Sequence, residues 1–274
     1  MTASTVSVPR VDSSRLASRT LPGLRALVRK DIGEWTHGTR AVTVLAVVSL
    51  FMTLAAANAF INGWIIANIP EAAEAGADKV ISLAPLDNLF AAVGSQIFIF
   101  AAIFAAMSLI VRERETGTLA WVASKPVSRT AIWLSKLISA SLVLWIAAGL
   151  VPLALTTAVV TVLYGLPSLV AVALIAVGIG AVITLFVAVA LAASTLVASQ
   201  PAVAGITFGA FALPTILTAI VPVNIAPFLP TSILSWTMGL NAGADVGIVT
   251  PIAWLIGLVA LGVFSARQMG KLEL

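Results

Sequence analysis

With 274 residues, 60% of them hydrophobic and only 9% charged, this chain has too few ionisable side chains to coat a soluble domain, where about a quarter of residues are charged. Its solvent over much of its length is therefore lipid. The formal charge of +4 reads as basic flanks around apolar segments, a topology signal rather than a nucleic-acid surface. With no cysteine and one histidine, His37, the chain has no disulfide or redox thiol, and no metal site is expected.

The first 20 residues, rich in Ser, Thr and Arg, read as a disordered tail. In the next stretch, "LPGLRALVRKDIGEWTHG" (21–38), Leu24, Leu27, Val28, Ile32 and Trp35 recur at helical spacing. Arg25, Arg29, Lys30 and Glu34 take the other side. That pattern suits an amphipathic helix lying in the membrane interface, the alternative being a solvated basic flank that is helical. Seven Lys/Arg precede Ala41, a leader too long for a signal peptide, so the apolar run 41–61 is read as an uncleaved first span. Its length, about 20 residues, crosses roughly 30 Å of hydrocarbon as a helix.

Beyond it, "NIPEAAEAGADKV" (68–80) places Pro70 and Glu71 at the start of a short surface helix. A second uncharged run, 88–111, is the second span. From Leu137 to Ala244 no residue is charged, and breaks at "YGLPS" (164–168) and "SQP" (199–201) divide this length into spans 137–163, 169–198 and 202–221. The fourth is long enough to be tilted or broken. Residues 222–250 are apolar but interrupted by three prolines, which fits a re-entrant or interfacial pair of short helices. A sixth span, 249–265, ends before Arg267. The fold class expected is all-α, a single six-span membrane domain over 21–274. Fourteen of the Lys/Arg lie on one side and only Lys79 on the other, which places both termini in the cytoplasm of a plasma-membrane protein.

The spans hold no clear Asp, Glu, Lys or Arg, which argues against an ion-coupled transporter. One His and no Cys supply intramembrane hydrolysis poorly. No G-x-x-x-x-G-K-[ST] loop occurs, so uphill transport would draw its energy from a partner. Most Ser and Thr hydroxyls are expected to bond back to their own helices. Asn58 and Gln96 are costlier to bury and are candidates for lining a pathway or joining helices. "GITFG" sets Gly205 and Gly209 on one helix face, for close packing within the bundle or between two copies.

Between the second and third spans the pattern changes. Seven charged residues lie between Arg112 and Lys136. In "RERETGTL", Gly117 can end one helix and Thr118 start another; "SKPVSR" makes a second turn before a helix from about Thr130. The result is a short helix held between two long ones with mixed charges on its shoulders. It could dock a partner protein or be a salt-bridged, solvated hairpin.

This stretch resembles the permease subunit of ATP-binding-cassette transporters of the type-2 exporter class. There the second span runs into E-x-x-x-G-T-L, a P-V-S-R turn and a Lys early in the third span. Glu113, Glu115, Gly117, Thr118, Leu119, Pro126, Ser128, Arg129 and Lys136 fall on that pattern. The resemblance implies that 113–130 is a coupling helix, with Arg112 and Arg114 on its shoulder, seated on a separate ATPase subunit that holds the ATP and Mg. It implies no cofactor in this chain, a second permease copy or related permease as partner, and export across the membrane. The uncharged, hydroxyl-bearing spans favour an amphipathic or hydrophobic cargo such as a drug, antibiotic or lipid. The rival is a membrane anchor or sensor that recruits a cytoplasmic protein through 112–136. Residues 21–38 resemble the family's elbow helix, 193–205 its inner turn and 222–250 its outer re-entrant helices. The inner turn at 199–201 carries no charge here, which leaves a second coupling contact without support.

Overall fold

The computed structural model describes residues 21, 23–68, 95–220 and 223–271, and every regular element among them is helical. The expected tail (1–20), the surface helix expected in 68–80 and the start of the second span (88–94) lie outside the described residues. Helix α1 is Leu24–His37, α2 Thr39–Asn68, α3 Ser95–Ala106, α4 Val111–Glu115, α5 Thr118–Ala123 and α6 Arg129–Leu144. A π-helical turn, Trp145–Leu150, leads into α7, Val151–Tyr164; α8 is Leu169–Leu196 and α9 Gln200–Ile220. Two 3-10 turns, Val223–Phe228 and Pro230–Ser232, precede α10, Ile233–Asn241, and α11, Val249–Lys271.

Six stretches are long and apolar enough to cross a membrane: Thr39–Ala57, Gln96–Glu115, Arg129–Leu163, Leu169–Leu196, Gln200–Leu217 and Val249–Met269. Helices suit that medium because they satisfy their own backbone hydrogen bonds. The third stretch starts at Arg129 rather than 137 and runs 35 residues. At 1.5 Å per residue it exceeds a hydrocarbon layer by about 20 Å, so its first turns can project with their charges. The π turn within it was not legible as a break. Pro152 offers no N–H and its ring would press on the carbonyl of Ala148 in a regular helix, and the wider turn absorbs that conflict. Here the Trp145 indole donates to the Ala176 carbonyl at 2.8 Å. A Cβ on Gly180 would stand 2.9 Å from that indole nitrogen, so the close approach needs glycine.

Helix α8 forms the centre. It is one unbroken helix of 28 residues, apolar on all sides, and α3, α6, α9, α10 and α11 pack around it. Ile175, Ile179, Ile183 and Leu191 are fully buried. Helix α10 leans into it where Gly178 leaves room for Leu234 and Thr237. The proline-rich segment is therefore two 3-10 turns and one α-helix rather than a simple helix pair. Large apolar side chains point outward instead, among them Leu50, Phe51 and Leu54 on α2 and Leu255, Ile256 and Val259 on α11. Hydroxyls of Thr184, Thr195 and Thr207 bond back to the carbonyls of Gly180, Ala192 and Val203, as expected. Thr156 and Thr157 are exceptions: their hydroxyls have no hydrogen-bond partner.

Candidate functional site

Several long helices meet the charged hairpin at one end of the bundle. Helix α3 passes through a turn into α4, which stops at Glu115; Gly117 then adopts φ 72°, a left-handed conformation open to glycine and costly for a branched residue. Helix α5 starts directly after it. Leu119 and Val122 turn inward and are buried, whereas Ala120, Trp121, Ser124 and Lys125 face out. Trp121 is 62% exposed, with the Lys125 ammonium 4.7 Å from its ring centroid, within cation–π range. After the turn at Pro126, Ser128 caps α6 by accepting from the Ala131 N–H at 3.1 Å.

The charges on this hairpin are distributed among different helix ends. Glu113 accepts the Lys136 ammonium at 2.8 Å and the Lys30 ammonium at 3.4 Å. Lys30 also reaches Glu34 at 2.8 Å and Asp31 at 3.6 Å. Asp31 lies 3.8 Å from Lys136 and accepts the Ser135 hydroxyl at 2.8 Å. Asp31, Glu34 and Glu113 bring carboxylate oxygens within 4.8 Å of one another, and the two ammonium groups sit among them as counter-charge. Burial opposes the charged form of Lys30, but the hydrogen bond to Glu34 and the charges of Glu113, Asp31 and Glu34 outweigh it and raise its pKa above the usual lysine value.

Two arginines reach helix C-termini, where exposed carbonyls and the helix dipole attract cations. Arg114 donates to the carbonyls of Ser194 and Val197 at the end of α8, both at 3.5 Å. Arg129 donates to the carbonyl of Met269 in the last turn of α11. Of the sequence-predicted residues, Glu113, Arg114 and Arg129 thus hold the hairpin to the body, and Leu119 anchors it from beneath. Arg112, Glu115, Gly117 and Pro126 are exposed, and Thr118 is half-buried. Glu115 shares a shallow cleft with Ser199, Gln200 and Pro201, so the uncharged inner turn lies beside the hairpin.

Helix α1, expected to lie in the membrane interface, packs along α6. Trp35 is buried and Ile32 half-buried, while Arg25 and Arg29 remain exposed. Lys30, assigned to the polar side, turns into the ion-pair cluster. Asp31 was missed, although the signal was present, since Leu27, Asp31 and Trp35 are spaced four apart on one helix face. An acid on a packing stripe requires a buried counter-ion, and Lys136 early in α6 supplies it. The other candidates stand apart from this cluster. Gln96 is exposed in the first turn of α3, and Asn58 lies in α2, its side chain outside the described residues. Gly205 and Gly209 face outward, and a Cβ added at either would meet nothing of the chain within 4 Å, so their face is not used inside this bundle.

Residues 26–242 match the model of a protein family described as "ABC-2 family transporter protein". The chain belongs to the ABC-2 transporter family. The match takes in α1, the hairpin and the central helix, so the charge cluster lies within the part that defines this ABC-2 permease. Family and fold together make it a multi-pass membrane subunit of an ABC transporter, a class that works with an ABC ATPase subunit. No curated protein gives a significant match to the chain.

Proposed function

We propose that this ABC-2 permease exports an amphipathic or hydrophobic substrate (a drug, antibiotic or lipid), driven by ATP hydrolysed on a separate cytoplasmic subunit that seats on the hairpin 112–136. One observation carries the reading: a short helix presenting an exposed Trp121 sits on a turn fixed by Gly117, while Glu113, Arg114 and Arg129 on either side of it are tied to other helices. Exposed tryptophans are frequent energetic centres of protein interfaces. The helices beneath are uncharged and hydroxyl-bearing, which suits an amphipathic cargo. The 14-to-1 division of Lys/Arg supports cytoplasmic termini and a cytoplasmic hairpin. A second permease copy would close the pathway, and the outward face of Gly205 and Gly209 on α9 supports such a pairing.

The test uses the permease reconstituted with its ATPase. Trp121→Ala removes an exposed ring and should leave insertion intact, yet weaken ATPase association by about tenfold or more. Gly117→Val places a branched residue at φ 72°, a strain of about 1–2 kcal/mol, and should abolish export while the ATPase still binds. Normal export by both well-folded variants would count against coupling through the hairpin. Full recovery of function on overexpressing the ATPase would favour the anchor reading instead.

A further inference from the structure

Beside the ion-pair cluster lies a cleft of about 540 Å³ whose walls include Arg40 on α2 and Arg112 on α4. Its acids are already engaged: Asp31, Glu34 and Glu113 are paired with Lys30 and Lys136. No hydrogen bond or ion pair engages Arg40 or Arg112 among the described residues. Arg40 and Arg112 line the same cleft; burial and the like charge of Arg112 oppose the charged form of Arg40, and the Glu34 carboxylate partly offsets them. The walls carry three cations, Arg40, Arg112 and Lys136, and three carboxylates, and Lys30 reaches those carboxylates from beside the cleft, so the two lysines engage the acids and the two arginines are left without an ion-pair partner among the described residues. Two like charges kept together without a partner are a recurrent way of holding a third group of opposite sign.

Depth narrows the choice of that group. Arg40 is the last residue before the uncharged stretch 41–70, and Arg112 is the first after the uncharged stretch 88–111. Both therefore sit at the boundary of hydrocarbon and water, the level of lipid headgroups. Thr39 lines the same cleft and adds a hydroxyl, while the hydroxyls of Thr116 and Thr118 bond to each other and Thr116 donates to the Arg112 carbonyl. We infer that the cleft between Arg40 and Arg112 binds a phosphate group, the two guanidinium groups donating to its oxygens. The phosphate of an anionic phospholipid and free phosphate share this chemistry. The inference stands independently of any coupling by the hairpin, because it concerns the opposite side of α4 from the α8 contact and needs no ATPase.

The full chain in mild detergent is examined by native mass spectrometry and thermal unfolding, with phosphatidylglycerol, phosphatidylcholine or inorganic phosphate added. The wild type should retain phosphatidylglycerol over phosphatidylcholine by about tenfold, the size of one charge-assisted contact. Arg40→Gln with Arg112→Gln should lose that preference, and each single change should lose part of it. Arg40→Lys with Arg112→Lys should keep most of it. Arg267→Gln, the same charge removed from an exposed site on α11, should keep all of it. Stabilisation of the wild type by inorganic phosphate as strong as that by the lipid, and lost in the Gln pair, assigns the site to a free anion. Stabilisation by the lipid alone assigns it to a headgroup. A wild type indifferent to both probes, or a folded Gln pair with undiminished preference, overturns the proposal.

Discussion

Removing the Lys136 ammonium is the sharpest perturbation of the charged cluster. Lys136 is 5% exposed, 2.8 Å from Glu113 and 3.8 Å from Asp31, so Lys136→Met keeps much of the side-chain volume but leaves two enclosed carboxylates short of a counter-charge. Were these pairs solvated, the loss would be at most about 1 kcal/mol. Breaking a buried pair by deleting one partner typically costs about 3–5 kcal/mol. Lys30 remains 3.4 Å from Glu113 and more exposed, which places the expectation near the lower end, about 3 kcal/mol. For a chain of this size that is a fall in Tm of roughly 6–12 °C, read by thermal unfolding of the purified protein in detergent. Adding Glu113→Gln should restore part of the loss, and a double-mutant cycle should give a coupling above about 1 kcal/mol. A single variant within about 1 kcal/mol of wild type, with no coupling to Glu113, would refute the buried-network account.

Lys30 makes a pH prediction. Its folded-state pKa is raised, so its contribution is complete below the unfolded value of 10.5 and declines as pH rises beyond it. The unfolding midpoint should therefore show no Lys30-dependent change from neutrality to about pH 10 and fall above that, with the fall reduced in Lys30→Gln. Gly178→Ala should destabilise by about 1–3 kcal/mol, because its Cβ would collide with Thr237 and Leu234. Gly33→Ala, with nothing within 4 Å, should be neutral or slightly stabilising in the same unfolding assay. Since the chain lacks cysteine, Ser124→Cys and Ala244→Cys can be labelled without background; an impermeant thiol reagent on intact cells should modify position 244 and spare 124.

The helices were legible because lipid imposes a simple rule: uncharged runs of sufficient length become spans, and their ends are marked by charge and by Gly, Pro and Ser. Gly117 and Ser128 were legible as punctuation for the same local reason. The cluster was only half legible. Glu113 and Lys136 stood out as charges, but their pairing joins residues 23 positions apart, and Asp31 reaches across 104 and 105 positions to Ser135 and Lys136. Such contacts depend on how α1 lies along α6, which periodicity alone does not state. Leu119 shows the converse limit. A motif identifies the segment, but which of its residues faces out depends on the angle at which a six-residue helix meets the bundle.

The contact distances rank how the hairpin is held. Towards α1 and α6 it is tied by an enclosed 2.8 Å ion pair with further ammonium and carboxylate partners around it. At its exit Arg129 holds the end of α11. Towards α8 the tie is one guanidinium shared between two carbonyls, each at 3.5 Å, the outer limit of a hydrogen bond. By these distances the hairpin is tied more closely to α1, α6 and α11 than by the Arg114 contact to the end of α8. If the hairpin couples the two subunits, Arg114→Gln, which removes the long contacts to the end of α8, should destabilise the fold less than Lys136→Met does in the same unfolding assay.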